Sequence, residues 1–348
     1  MTDQRDDRPV VILAPRPQRA STIFEPGTRR RLEARFRVID LEADPSHAAF
    51  EAALPDAFAI VGQPDLPQAL LDLAPRLRAI LNVEGNFYPN VDYAACLARG
   101  IRVLGCGPAY AQAVAEYALG LALDLARGIS REDRAFRAGR ERWVADGNAD
   151  AILLRHADVG FLGYGNLGRA AHRLLAPFEP RLRVFDPWLP DSVLRDAGAT
   201  PASLDEVLGS STFLFVFATV TAASERLLNA ARLDLVRPGA RLVLVSRAAI
   251  TDHAALLERV AAGRFLAAID VWPDEPARPD EPARALEGLV LSAHRAGGIP
   301  QAFTEIGEMV LDDLDLVARG LPPVRMQVAA PELVGRYRNR PVDRDVEA

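Results

Sequence analysis

DVGFLGYGNLGRAAHRLL, residues Asp158–Leu175, is the stretch from which the rest of the chain can be read. A short apolar run, Val159–Leu162, leads into Gly163-x-Gly165-x-x-Gly168, and a helix-like stretch follows from Gly168. The first glycine permits a tight turn, and the second lets a pyrophosphate approach the backbone. The third lets helix and strand pack closely, while the helix N-terminus holds negative charge. Asn166 and Leu167 lie inside this turn and are grouped with the glycines as cofactor-binding residues. A second strand, RLRVFD, ends in Asp186, eighteen residues beyond Gly168. An acid about 20 residues on is what binds the ribose hydroxyls of NAD. A carboxylate there repels a 2′-phosphate, and Pro187 and Trp188 follow it rather than an arginine, so NAD is expected over NADP. Alone, GxGxxG is a weak signal; strand, glycines, helix, strand and acid in that order make a strong one.

Outward from this stretch, apolar runs alternate with amphipathic segments. Val10–Ala14, Phe36–Leu41, Ala57–Val61 and Arg78–Asn82 read as strands, with helix-like spacing at Glu25–Arg35 and Leu66–Leu73. Ala109–Gly128 is rich in alanine and leucine without internal proline and reads as a long buried helix. Arg134–Trp143 reads as an exposed arm. A second alternating series then runs through Asp158–Leu162, Arg181–Phe185, Thr212–Ala218, Arg241–Ser246, Phe265–Val271 and Leu289–Ser292, with Asp252–Ala262 the clearest helix among them. Thr304–Arg319 is a last amphipathic helix before a charged, proline-bearing tail. Strands alternating with helices predict parallel sheets covered on both faces.

Composition narrows the function. With 348 residues, 49% of them hydrophobic and 25% charged, the chain has the material for about two globular domains. The net charge of −6 and the absence of a basic block longer than Arg29–Arg31 argue against nucleic acid as the main partner. No apolar run reaches the ~18 residues of a membrane span, and the charged Met1–Arg8 segment has no apolar core behind it, so a cytoplasmic location is expected. Cys96 and Cys106 lack CxxC spacing, which fits a reducing compartment without a metal site. All 41 basic residues are arginine, so Schiff-base chemistry, pyridoxal phosphate anchoring and a Walker-A loop are excluded.

In such sheets, ligands sit beyond the carboxyl ends of the strands. Three successive strands deliver Arg247, Glu275 (after the strand that ends at Asp270) and His294 to one edge. The arginine fork binds a carboxylate and polarises a neighbouring carbonyl. Histidine exchanges a hydroxyl proton as hydride moves, and a glutamate bonded to it fixes the tautomer and favours the charged ring. His47, His156, His172 and His253 show no partner pattern and receive no role.

These residues resemble the D-isomer-specific 2-hydroxyacid dehydrogenases, the group that contains phosphoglycerate, glyoxylate and D-lactate dehydrogenases. The resemblance runs from about Leu77 to Gly298, through NVDYAACLARGIRV, AVAEYALGLALDLARGI, the glycine fingerprint, VSRAAITDHAALLERVAAGR, AAIDVWPDEP and SAHRAGG. It implies an oxidoreductase acting on a 2-keto acid and D-2-hydroxy acid pair, with Arg247, Glu275 and His294 catalytic and Asp270 near the nicotinamide carboxamide. It further implies that Glu84, Gly85 and Asn86 bind the substrate carboxylate together with Arg247. Ala248 stands where the family usually has glycine, Ser292-Ala293-His294 where Thr-Pro-His is usual, and EGNFYPNVD where the loop usually reads like GVGxDNVD. These departures leave the trio intact and put the identity of the substrate on the loop. Formate is disfavoured, since formate dehydrogenases carry glutamine at the Glu275 position.

The implied fold is α/β with two doubly wound parallel-sheet domains. A discontinuous flavodoxin-like substrate domain covers 8–108 and 301–335, and a Rossmann NAD-binding domain covers 109–300. Hinges fall near Gly107–Tyr110 and Gly298–Gln301, closure brings the Val83–Asn86 loop to the nicotinamide, and 336–348 form a flexible tail. The Ala109–Gly128 helix and the arm around Trp143 resemble the family's homodimer contact. Two other readings share this fold: the same chemistry on a phosphite or phosphonate anion, and a non-catalytic dinucleotide sensor of corepressor type. An intact catalytic trio is not needed by a sensor.

Overall fold

The computed structural model describes residues 6–338. The chain divides into two compact units, one formed by residues up to Tyr110 together with those from Gly298 onward, the other by Ala111–Gly297.

In the first unit, five parallel strands β1 (Val10–Ala14), β2 (Arg37–Asp40), β3 (Ala57–Gly62), β4 (Ala79–Asn82) and β5 (Arg102–Gly105) lie in the order β5-β4-β3-β1-β2. This is the flavodoxin-like winding, reversing direction between β1 and β3. Successive side chains go to opposite faces, and both faces are covered, so the strands read as unbroken apolar runs. Val11 and Leu13 join Val61, Leu81 and the Ile306, Val310 and Leu314 face of helix Pro300–Ala318. Ile12 joins Ile60, Ile80, Leu54 and Leu71 on the other side.

The second unit holds seven parallel strands: β6 (Asp158–Leu162), β7 (Arg181–Phe185), β8 (Thr200–Pro201), β9 (Phe213–Val216), β10 (Arg241–Leu244), β11 (Leu266–Ile269) and β12 (Leu289–Leu291). Their order, β12-β11-β10-β9-β6-β7-β8, is that of a dinucleotide-binding Rossmann sheet. Leu162, Val216, Leu244 and Ile269 pack on one face against Leu256 and Val260 of helix His253–Ala261. The rings of Phe161, Phe215 and Phe217 pack against one another, Phe161 edge-on with centroids 5.1 and 5.6 Å from the other two. Helix Leu204–Ser210 opens on a capping box between Ser203 and Glu206.

Several expectations shift. Strand β5 carries an arginine at its start and was not anticipated; neither was the Gln327–Val328 strand, which pairs antiparallel with it. The expected Leu66–Leu73 helix shrinks to Gln68–Asp72 because Leu66 bridges to Val91. The last helix starts earlier, with Pro300 at its first position, where a missing N–H is harmless. Helix Gly107–Arg127 is amphipathic rather than wholly buried, with Gln112 and Glu116 exposed. The expected arm begins as a helix, Ile129–Arg137. Of the tail expected at 336–348, Tyr337 is 8% exposed and lies with its ring centroid 6.0 Å from that of Phe87, while 339–348 lie outside the described residues. Among the described residues, no helix is long and apolar enough to cross a membrane.

Candidate active site

The turn after β6 has room for a dinucleotide. Gly163 sits at φ +94°, and a Cβ there would come within 2.9 Å of the Ala218 backbone, so neither conformation nor space admits a side chain. A Cβ at Gly168 would lie 2.7 Å from the Gly163 carbonyl oxygen, which is the close helix–strand approach the fingerprint requires. At Gly165 a Cβ would meet nothing within 4 Å, leaving an open cradle at the start of helix Asn166–Leu175. Gly165, as N-cap, has no side chain to cap the helix amides, and no acid stands in the first turn, so the helix end suits a phosphate. Asp186 follows β7 directly. Its Oδ2 accepts from Tyr164 N at 2.8 Å and its Oδ1 from Trp188 N at 2.9 Å, fixing the carboxylate beside the glycine turn. Each oxygen keeps a further lone pair for a diol. The chain's own geometry therefore fits NAD.

Neighbouring strands β10, β11 and β12 bring the predicted trio to one edge. Glu275 and His294 meet with 2.6 Å between Oε2 and Nδ1. Oε1 of Glu275 accepts from the Trp272 backbone N–H at 2.9 Å. Burial pushes the Glu275 carboxyl up, but the His294 hydrogen bond and charge, the Trp272 amide and the Arg247 charge outweigh it and hold the group below its usual range. With Glu275 ionised, Nδ1–H of His294 donates to it, and Nε2 is the nitrogen left for chemistry. His294 itself has φ +50°, a left-handed conformation that the surroundings must enforce. They do so through Asp270, which is fully buried. Its carbonyl oxygen accepts from His294 N at 2.7 Å, and its carboxylate accepts from Arg295 N at 2.9 Å and Ala296 N at 3.1 Å. What the structure gives Asp270 is thus the anchoring of the His294 turn. Arg247 lies three residues past β10 in extended conformation. Its Nη1 donates to the Ser246 carbonyl at 2.7 Å, while its Nε is buried without a partner among the described residues.

In the first unit, the segment after β4 is folded back by buried Asn82, whose Oδ1 accepts from Glu84 N at 2.9 Å and whose Nδ2 donates to the Asn86 carbonyl at 3.1 Å. Gly85 faces the Tyr110 ring, where a Cβ would be 3.3 Å away. Glu84 is buried, and the Tyr88 hydroxyl lies 3.4 Å from its Oε2. Phe87 and Tyr88 are 5% and 2% exposed, and Phe87 belongs to the core that contains Tyr337. Sequence alone left these two aromatics between packing and lining a site, and packing is what the structure shows.

Other residues around the trio escaped the sequence reading. Trp272 Nε1 donates to the Ser292 carbonyl at 2.7 Å, and Ser292 Oγ meets the Tyr117 hydroxyl at 2.6 Å. His253, given no role, pairs with Glu281 at 3.0 Å. Trp272, Tyr117, Ser292 and His253 all lie in quoted stretches, but the contacts among them span distances in sequence that spacing does not reveal.

The sequence profile of the D-isomer specific 2-hydroxyacid dehydrogenase NAD-binding domain matches residues 119–296. The chain is 29% identical over 280 residues to a D-3-phosphoglycerate dehydrogenase of Archaeoglobus fulgidus, covering 80% of this chain but only 52% of that protein. It is 28% identical over 276 residues to a glyoxylate reductase of Pyrococcus furiosus, covering 77% and 81% respectively. A crystal structure of a phosphoglycerate oxidoreductase from Rhizobium etli superimposes with a TM-score of 0.83 at 43% identity, covering 93% of this chain and 99% of that one.

Proposed function

Because the chain belongs to the D-isomer-specific 2-hydroxyacid dehydrogenase family, we propose that it interconverts a 2-keto acid and a D-2-hydroxy acid with NAD(H). The observation that carries this reading is the 2.6 Å contact between Glu275 and His294, on the strand edge that also carries Arg247. The nicotinamide, when bound, supplies or accepts the hydride. Arg247 holds the substrate carboxylate and polarises the adjacent carbonyl. During reduction, Nε2 of His294 gives its proton to the carbonyl oxygen as that oxygen gains charge; during oxidation it takes the hydroxyl proton back. Glu275 keeps the ring oriented by holding its Nδ1–H, leaving Nε2 for the substrate. Gly163, Gly165, Asn166, Leu167, Gly168 and Asp186 hold the dinucleotide, with Asp270 fixing the turn that bears His294. Glu84, Gly85 and Asn86 are assigned to the substrate on the family resemblance.

A homodimer in a reducing, cytoplasmic setting completes the proposal. Exposed Ile129, Phe136, Trp143, Val144 and Leu153, 59–81% accessible, offer apolar surface for a second copy. Both cysteines are buried and unpaired. Incubation with NADH and a panel of glyoxylate, hydroxypyruvate, phenylpyruvate and branched 2-keto acids, followed by loss of NADH absorbance, tests the activity. Turnover of at least one is expected; no turnover of any overturns the reading.

A further inference from the structure

The loop from Asp270 to Ala285, DVWPDEPARPDEPARA, carries Glu275 but contains Pro273, Pro276, Pro279 and Pro282, which have no N–H to donate. Such a segment has few backbone hydrogen bonds of its own, such as those from Glu281 N to the Arg278 carbonyl and from Arg284 N to the Glu281 carbonyl, so side chains add to what pins it. Trp272 is the first pin: it touches Glu275 directly and reaches the segment leading to His294 through Ser292. Its backbone N–H fixes Oε1 of Glu275, leaving Oε2 for His294, and its indole N–H fixes Ser292, two residues before His294. The indole is only 9% exposed, and the His253 ring stands edge-on to it, with centroids 5.7 Å apart at 68°. His253 is held in turn by Glu281, farther along the same loop, at 3.0 Å, both side chains being 16% exposed. The neighbouring Asp252 is taken up by Arg226 and by the Ala255 amide, which leaves Glu281 as the acid facing the ring.

We propose that His253 and Glu281 form a positioning pair that acts through Trp272 to hold Glu275 against His294. The pair closes the loop on itself: one end carries Trp272, the other carries Glu281, and His253 on the adjacent helix spans the two. Neither His253 nor Glu281 is assigned a contact with the reacting atoms. The proposal rests on the reading of Glu275 and His294 as the proton-transfer pair, and a double-mutant cycle separates the two. In His253→Ala, kcat for 2-keto acid reduction falls about tenfold while KM for NADH stays within about twofold. Glu281→Gln, which keeps a hydrogen-bond acceptor for the ring, stays within about threefold of wild type. In a Glu275→Gln background, adding His253→Ala lowers kcat less than about twofold further, because the carboxylate being positioned is already gone. Multiplicative effects of the two substitutions, or an unchanged kcat in a folded His253→Ala protein, overturn the positioning role. A wild-type chain that reduces no 2-keto acid overturns the catalytic reading instead. The pair is then tested by thermal unfolding, where additive shifts in Tm for His253→Ala and Glu275→Gln overturn it and coupled shifts support it.

Discussion

Two carboxylates beyond β11, the fully buried Asp270 and the partly buried Glu275, do different work, and substitutions tell them apart. Replacing His294 by alanine removes the proton donor and is expected to reduce turnover about 10²–10⁴-fold, the usual scale for one positioned acid or base. Glu275→Gln removes the carboxylate that faces Nδ1 of His294, so turnover is expected to fall about tenfold or more in a protein that stays folded; unchanged turnover breaks the pairing. The same carboxylate bears on stability. Its folded value lies below the ordinary 4.5, so its contribution is present above that value and is lost as pH falls through the lowered one. Asp270→Asn instead turns an N–H toward an amide that needs an acceptor. An unfolding titration should show a loss of about 1–3 kcal/mol together with reduced turnover. With Asp186 as the proposed ribose-binding acid, NADH should support turnover well and NADPH poorly, and equal use of both by the unaltered protein refutes the assignment.

At the level of elements, the strands that sequence made legible include two buried on both faces, Val10–Ala14 and Asp158–Leu162, and one that alternates, Arg181–Phe185, with Leu182 and Val184 buried; their observed ends match the pattern. Those it missed, Arg102–Gly105 and Gln327–Val328, are short and partly polar, and the latter exists only because β5 offers it an edge. The Glu275–His294 contact was legible because each residue lies in the loop that follows a strand, within six residues of its end. Trp272 and Tyr117 were not, since what makes them matter is contact with Ser292 across 20 and 175 residues. Strand β6 also starts on a charge: Asp158 is lowered to about 2, first by hydrogen bonds from Arg181 and against burial, with Arg183 adding to it. The β6–β7 pairing therefore gains from this cluster above the ordinary 3.8 and loses that gain as pH falls toward 2. Thermal unfolding of Asp158→Asn should show a smaller loss of Tm on acidification than wild type. The segment after β4 carries the specificity prediction. Glu84→Gln should change the ratios of kcat/KM among oxaloacetate, glyoxylate and phenylpyruvate; unchanged ratios remove Glu84 from substrate selection.

Across the whole molecule, the exposed apolar residues of helix Ile129–Arg137 and of Trp143–Leu153 predict self-association. Phe136→Glu with Trp143→Glu should convert a dimer into a monomer in sedimentation, and an already monomeric wild type would sink the idea. The division of the chain has another consequence. Ala111–Gly297 is one continuous run, whereas the first unit needs residues from both sides of it. Helix Pro300–Ala318 supplies Ile306, Met309, Val310, Leu311 and Leu314 to that unit's core, and Gly307 lies so near the Ile23 carbonyl that a Cβ would collide with it. During synthesis the residues before Ala111 must therefore wait with one sheet face only partly covered, by Ile23, Phe24 and Leu32, while the later unit emerges and folds, a delay of roughly 10–40 s at ordinary ribosome speeds. The unit whose first strands are made before Ala111–Gly297 is completed only after it, and that half-finished unit is where chaperones would find their substrate.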